Sequence, residues 1–100
     1  MGGPYEIEFT KGAYQHLERL RRFDRNIILD SIKGELAQKP QEETRNKKLL
    51  RQNPLADWEL RIRQYRIFYD IDENQGVVRI LAIGLKERDK VIIGGEEVRL

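Results

Sequence analysis

The most regular pattern in this 100-residue chain is Trp58-Glu59-Leu60-Arg61-Ile62-Arg63-Gln64-Tyr65-Arg66-Ile67-Phe68-Tyr69-Asp70-Ile71-Asp72. Apolar and polar residues alternate on both sides of Gln64, and this period of two is typical of strands with one buried face. The pattern therefore predicts two neighbouring β-strands, Trp58–Arg63 and Tyr65–Asp72.

Two further strands are predicted on either side of this pair. Tyr5–Phe9 alternates apolar and acidic residues, as a half-buried strand does. Val77–Gly84 is apolar apart from Arg79, which indicates a strand covered on both faces. Asn74 and Gly76 mark a turn before it, whereas the tail Leu85–Leu100 has no clear pattern.

Two amphipathic helices are predicted between the first strand and the central pair. Thr10 is a good N-cap for a helix over Lys11–Arg22, and Asp24 is a second N-cap candidate. The apolar face of the first helix is formed by Ala13, Leu17 and Leu20 with Tyr14 alongside, and that of the second by Ile28, Leu29, Ile32 and Leu36. Pro40 marks the end of the second helix, and the short link predicts an antiparallel hairpin.

The segment Gln41–Pro54 is polar and basic, which predicts a loop with a helical turn near Lys47–Leu50. The order of elements predicts an α+β fold in which the helical hairpin packs on one face of a four-stranded, mainly antiparallel sheet. At this length we expect residues 1–100 to form a single domain.

The charge distribution is more informative than the net charge of +2. Between Thr44 and Arg66 the chain has seven basic residues and only two acidic ones. A concentrated basic stripe indicates a phosphate-bearing or acidic partner. The alternative is the solvated surface of a charge-rich protein.

Several classes of site and location are disfavoured by composition. The chain has no cysteine, so disulfides, thiolate metal sites and a cysteine nucleophile are excluded, and we expect a cytoplasmic protein. Its apolar runs are too short to span a bilayer, so no membrane partner is expected. His16 is the only histidine and lacks neighbouring ligands in the sequence; we expect it on the surface, with no metal and no cofactor.

One face of the predicted sheet stays open because two helices can cover only the other. If Trp58 anchors the core, the alternation places Glu59, Arg61 and Arg63 on the open face. Arg66 and Phe68 of the next strand join them there. Several arginines and an aromatic ring on a sheet face are a plausible platform for an RNA backbone and a stacked base.

The segment Leu49–Asp70 resembles the central signature of the RelE/ParE toxin family. That signature is a leucine-rich stretch and a turn, then W-x-L-R-[hydrophobic] and Y-R-[hydrophobic]-x-Y, which here begin at Trp58 and Tyr65. The strand Val77–Gly84, followed by Lys86 and Arg88, resembles the family's last strand and basic C-terminus.

This resemblance implies a toxin of a type II toxin–antitoxin module that is held inactive by a cognate antitoxin. RelE-type members cut mRNA in the ribosomal A site, and ParE-type members poison DNA gyrase. We expect a ribosome-dependent mRNA endonuclease, with the gyrase inhibitor as the alternative. A third possibility is a catalytically degenerate member that only binds its antitoxin and DNA.

The resemblance also implies site residues. The basic positions of RelE-type nucleases fall on Arg61, Arg66 and Lys86. Two positions depart from the family: Glu59 stands where relatives often have a basic residue, and Ile92 where many of its nucleases have tyrosine or histidine. The remaining residues expected to bind RNA are Arg63, Arg88, Phe68, Lys47 and Lys48.

RNA cleavage through the 2′-hydroxyl requires a base, stabilisation of charge on the phosphate, and protonation of the leaving oxygen. Arginine suits the second task because it stays charged and binds phosphate bidentately. The base is left open between Glu59, Lys86, Glu87 and no base at all. Glu59 lies two residues from Arg61, so it is either a catalytic carboxylate on the same strand face or an ordinary partner of an arginine.

Overall fold

Two helices follow a short strand in the computed structural model, which describes residues 4–99. Strand β1 spans Glu6–Phe9, helix α1 spans Lys11–Glu18 and helix α2 spans Arg22–Leu36. Thr10 caps α1 as predicted, because its hydroxyl oxygen accepts from the Ala13 amide at 3.1 Å.

The helix boundaries and buried faces differ from the prediction at three residues. α1 ends at Glu18 rather than Arg22, and Tyr14 is 53% exposed instead of sharing the buried face. Leu29 is also exposed, while Ile28 and Ile32 are buried. Both exposed side chains lie next to the apolar stripe in sequence but rotate away from the sheet by about 100° per residue.

The prediction that Asp24 is the N-cap of α2 is wrong. α2 starts earlier, with Arg21 at the N-cap and no side-chain cap bond. The Asp24 carboxylate instead accepts a 2.8 Å hydrogen bond from the Tyr65 hydroxyl and lies 3.5 Å from the Arg21 guanidinium. Asp24 therefore ties the helical hairpin to the sheet.

Within residues 4–99 the sheet has seven strands rather than the predicted four, and the predicted α+β fold is confirmed. The remaining strands are β2 (Lys47–Leu49), β3 (Trp58–Ile62), β4 (Tyr65–Asp72), β5 (Val77–Glu87), β6 (Lys90–Ile93) and β7 (Glu96–Val98). β2 to β7 are antiparallel neighbours in sequence order, and β1 lies parallel to the start of β5. The helical turn predicted near Lys47–Leu50 is wrong, because β2 pairs with β3 there.

The main core lies between the helices and one face of the sheet. Leu60, Ile67 and Tyr69 are almost completely buried there, and the Trp58 ring stacks on Tyr69 with centroids 6.0 Å apart. The Tyr69 hydroxyl donates to the Pro40 carbonyl at 2.8 Å, so the buried phenol is satisfied. Trp58 is thus the core anchor that the alternation predicted.

A bulge in β5 sets which residues reach this core. Phe68 pairs with Ala82 and Tyr69 with Ile80, so Leu81 is an extra residue in β5. Because residues alternate between the two faces of a strand, the extra residue moves Ile83 onto the same face as Ile80. Both are buried in the main core.

The opposite face is covered along part of its length by a smaller apolar cluster. Phe68 and Ala82 from the sheet are buried there with Ala56 from the loop between β2 and β3. This loop is shaped by Asn53, whose side-chain oxygen accepts from the amides of Leu55 and Ala56. The basic residues lie on the uncovered remainder of the face.

Candidate functional site

The site begins with two arginines directly opposite each other on β3 and β4. Arg61 pairs with Arg66 in the antiparallel ladder, so both side chains leave the sheet on the face away from the helices. Arg66 is in turn opposite Gly84 of β5, and Lys86, two residues further along, is on the same face. Together these three residues, called the cationic triad below, occupy one end of the open face.

Glu59 lies at the inner border of the triad and is itself buried, with 7% of its surface exposed. Its carboxylate oxygen Oε2 accepts a 2.9 Å hydrogen bond from Nε of Arg61. The bond fixes one edge of the Arg61 guanidinium, while almost half of that side chain remains exposed. Glu59 thus orients Arg61 towards solvent.

Arg66 is held by main-chain oxygens rather than by a carboxylate. One terminal nitrogen donates to the carbonyls of Arg63 at 2.8 Å and Tyr65 at 2.9 Å. Partial burial lowers the pKa of Arg66, the Glu59 carboxylate raises it and the Arg61 guanidinium lowers it. An arginine nevertheless stays charged at neutral pH, so the triad contains two close, permanent cations.

Lys86 is anchored in a similar way at the other side of the triad. Its ammonium donates to the Arg88 carbonyl, and its amide donates to the Gln64 carbonyl at 2.7 Å. The second bond connects β5 to the turn between β3 and β4. Lys86 is half-buried. Its ammonium group is therefore restrained in position by its surroundings.

Arg63 and Arg88 lie in turns and not on the sheet face where Arg63 was expected. Each is the first residue of a two-residue hairpin turn, with φ of 56° and 58° respectively. Non-glycine residues at positive φ carry a strain of about 1–3 kcal/mol and persist only when neighbouring contacts hold them. Here those contacts are the carbonyl bonds to Arg66 and Lys86.

Two residues expected to contact RNA are buried in structural roles. Phe68 has no exposed surface, so its ring is inaccessible to a base. Lys47 is 4% exposed, and its ammonium donates to the carbonyls of Glu35 at 3.1 Å and Lys39 at 2.9 Å. These two expectations are corrected: Phe68 fills the smaller core, and Lys47 satisfies carbonyls at the end of α2.

Lys48 remains on the site face, next to the triad. It pairs directly with Glu59 across β2 and β3, and it is half-buried. Its position extends the cationic surface towards the edge of the sheet.

Ile92 does not lie beside the triad. It pairs with Leu85, on the helix side of the sheet, and lines a cavity of about 230 Å³ with His16 and Tyr65. The positions of β6 on the site face are Val91 and Ile93, which pack around Gly84: a Cβ at Gly84 would lie 2.9 and 3.0 Å from their side chains. β6 therefore contributes no titratable side chain to the triad.

His16 is half-buried, contrary to the expected surface position. Its Nδ1 accepts a 3.2 Å hydrogen bond from the Ile83 amide, which follows the β5 bulge. Burial lowers the pKa of His16, and the nearby Arg19 lowers it further. The signal was available in the sequence, since His16 lies three residues after Ala13 and four before Leu20, at the spacing of residues on one helical face.

Other classes of site have no counterpart in the described part of the chain. Residues 4–99 contain no group of three or more acidic or histidine side chains placed to hold a metal ion. Neither α1 nor α2 is long and apolar enough to cross a membrane.

Comparison with known proteins finds a matching family and similar solved structures. Residues 7–90 match the family described as the ParE toxin of the type II toxin–antitoxin system parDE. A structure of the RelBE2 toxin–antitoxin complex from Mycobacterium tuberculosis is similar at 28% identity and a TM-score of 0.72, covering 83% of this chain and 92% of that one. No curated protein sequence matches the chain.

The second similar structure is the archaeal RelE–RelB complex from Pyrococcus horikoshii OT3. It has 22% identity and a TM-score of 0.62, and covers 84% of this chain and 97% of that chain. At this identity the similarity shows the fold alone.

Proposed function

This chain belongs to the RelE/ParE family and is a toxin of a type II toxin–antitoxin system, and we propose that it acts as a ribosome-dependent mRNA endonuclease. A cognate antitoxin would neutralise it in the cytoplasm. The proposal rests on the cationic triad of Arg61, Arg66 and Lys86.

The cross-strand pair of arginines is the observation that carries this proposal. Like charges directly opposite each other in a sheet destabilise it, and Arg61 and Arg66 are such a pair. A bound anion removes the repulsion, because each guanidinium can donate to a phosphate while the two charges are neutralised. The geometry therefore favours the binding of a phosphate group by the cationic triad.

The proposed reaction is attack of the RNA 2′-oxygen on the adjacent phosphorus. A P–O bond to the 2′-oxygen forms and the bond to the 5′-oxygen breaks, leaving a cyclic phosphate and a 5′-hydroxyl. The triad stabilises the extra negative charge that develops on the phosphate oxygens. Arg61 and Arg66 supply this stabilisation from opposite strands, and Lys86 completes it from β5.

Glu59 is better suited to orienting Arg61 than to acting as the base. It is buried and already accepts the Arg61 Nε–H bond, so it is poorly placed to reach a substrate hydroxyl. Lys86 is engaged with the Arg88 carbonyl, and Glu87 points to the other face of β5. We propose that water takes the proton from the 2′-hydroxyl and gives one to the departing 5′-oxygen, and that the protein acts mainly through charge stabilisation.

Inhibition of DNA gyrase is the second candidate, favoured by one specific observation. The β6 positions beside the triad are Val91 and Ile93, so no acid–base side chain reaches the site from that strand. An inhibitor needs no such group, and the matched family is the ParE toxin family. A regulator that only binds its antitoxin and DNA would fit the same observation.

A pair of assays on the wild-type protein separates these functions. Primer extension on translated mRNA should show new 5′ ends at ribosomal A sites when the toxin is released from its antitoxin. A supercoiling assay with purified gyrase should show no inhibition. Intact mRNA together with blocked supercoiling would overturn the nuclease, and inactivity in both assays would leave the regulator.

A further inference from the structure

The link between the two helices is unusually basic. Four arginines lie within seven residues, Arg19, Arg21, Arg22 and Arg25, and residues 19–25 are called the arginine elbow below. Arg19 is the C-cap of α1, and Arg21 is the N-cap of α2. The elbow contains one carboxylate, Asp24, so its net charge is strongly positive.

The fold itself does not account for these arginines. Asp24 is 15% exposed and accepts from the Tyr65 hydroxyl as well as lying 3.5 Å from Arg21. Within residues 4–99, Arg22 and Arg25 form no ion pair. Arg22 lies in the first turn of α2, where the helix dipole disfavours cations, and Arg25 directly follows that turn. Their placement is therefore slightly unfavourable in the free protein, and a bound anion would offset this cost.

An exposed aromatic side chain lies among these charges. Phe23 is 64% exposed and is the most exposed of the large apolar residues in the described chain. Aromatic rings between cationic side chains are typical of surfaces that bind RNA, where the ring stacks on a base and the cations contact phosphates. The combination distinguishes the elbow from a merely solvated basic surface.

The elbow also lies next to the triad end of the sheet. The Asp24–Tyr65 hydrogen bond places it beside the first residue of β4, and Arg19 lines the same cavity as Tyr65. Tyr65 directly follows the β3–β4 turn that carries Arg63. Cationic side chains therefore continue from the open sheet face around the turn to the helical hairpin.

We propose that the arginine elbow is a second RNA-binding surface, which binds the phosphate backbone away from the cleaved bond while Phe23 stacks on a base. This inference rests on the proposed function only in its choice of RNA. Its role is to hold RNA across the end of the molecule, so that the triad meets a single phosphate in a fixed position.

The first test compares charge removal at the two ends of α2. Arg21→Gln/Arg22→Gln changes the elbow, and Lys33→Gln/Lys39→Gln removes the same charge at exposed positions near the other end of the helix. The probe is a short RNA hairpin with a single-stranded tail, methylated at its 2′-oxygens to prevent cleavage. Fluorescence anisotropy at several salt concentrations gives Kd and its salt dependence.

The elbow variant should weaken binding about tenfold and reduce the log–log salt slope by about 1.4–1.8, as expected for two lost phosphate contacts. In the lysine control variant, the Kd and the salt slope should both equal the wild-type values within experimental error. Equal effects in the two variants would mean general charge attraction and would overturn the proposal. All these residues are exposed, so circular dichroism should show unchanged folding.

The second test asks whether Phe23 stacks. Phe23→Leu keeps an apolar side chain without a π face, and should weaken RNA binding about tenfold. Phe23→Trp should retain the affinity. If the Phe23→Leu variant binds RNA as tightly as the wild type but no longer binds the antitoxin, the elbow is a protein interface and the proposal is wrong.

A third arm separates this inference from the nuclease proposal. In an Arg61→Ala/Arg66→Ala background, the elbow substitutions should still produce about the same fold-change in Kd, because substitutions at sites that share no partner within the protein act nearly additively. If the elbow variant cleaves mRNA normally and its RNA binding is unchanged, the proposal for the arginine elbow is wrong and the nuclease proposal is unaffected. Loss of cleavage in the triad variant alone would bear only on the triad.

Discussion

The two faces of the sheet differ in how far they are covered by other parts of the protein. On the helix side, Ile67 and Tyr69 of β4 are completely buried in a continuous core. On the other side, Phe68 of the same strand is buried under a loop and β6, but Arg66 remains accessible and faces another arginine. The helix side contributes to stability along its whole length. The other side contributes to stability at one end and carries exposed arginines at the other.

Residues two positions apart on one strand face therefore have separate functions. Phe68 and Arg66 share a face, yet one is surrounded by apolar side chains and the other by turn carbonyls and a guanidinium. Substitutions should therefore separate stability from activity along a single strand.

The largest expected effect on stability is at Phe68. Phe68→Ala should lower the free energy of unfolding by about 3–5 kcal/mol, because it opens a cavity between the loop and the sheet. Urea unfolding at neutral pH measures this change. A loss below about 1 kcal/mol would mean that the covered half of the face is as open as the charged half.

Lys47 should show the next largest effect. Lys47→Met keeps the length of the side chain but leaves the Glu35 and Lys39 carbonyls without their donor, which should cost about 1–3 kcal/mol. Lys48→Met is the matched control on the same strand and should change stability by less than about 0.5 kcal/mol. Equal losses at both lysines would contradict the structural role given to Lys47.

Glu59 distinguishes an orienting carboxylate from a base. Glu59→Ala removes the acceptor of the Arg61 bond and should slow mRNA cleavage about tenfold, the equivalent of one charge-assisted hydrogen bond. Glu59→Gln keeps an oxygen acceptor and should recover most of that rate. If glutamine is as slow as alanine, then Glu59 acts through its charge or as the base.

The smallest expected effect is a pH dependence at His16 on the helix side. Its folded-state pKa is lowered, so the unfolded chain binds the proton more readily. Stability should therefore be complete above the unfolded pKa of about 6.5 and fall as the pH drops below it. His16→Asn keeps an acceptor for the Ile83 amide without titrating, and its unfolding midpoint should fall less between pH 7 and pH 5 than that of the wild type.

The alternation of β3 and β4 was enough to predict the central strands and the face shared by Arg61 and Arg66. It could not predict that Phe68 is covered, because the cover comes from a loop and from β6, whose sequences have no strict period. The edge strand β2 was missed since Lys47-Lys48-Leu49 has low strand propensity and is held by pairing with β3. Likewise, the face of Ile92 depends on the register of the β5–β6 hairpin, which follows from the turn at Arg88.

The central claim is that Arg61 and Arg66 stabilise the reacting phosphate. Arg61→Ala and Arg66→Ala should each slow mRNA cleavage about a hundred- to a thousandfold. Urea unfolding should change by less than about 1 kcal/mol in Arg66→Ala and by about 1–3 kcal/mol in Arg61→Ala, which leaves the buried Glu59 carboxylate without its donor. Arg79→Ala is the matched control, because Arg79 pairs with Glu8 near the other end of β5 and should keep full activity. Cleavage measured by primer extension that persists in both triad variants, or that falls equally in Arg79→Ala, would contradict the account.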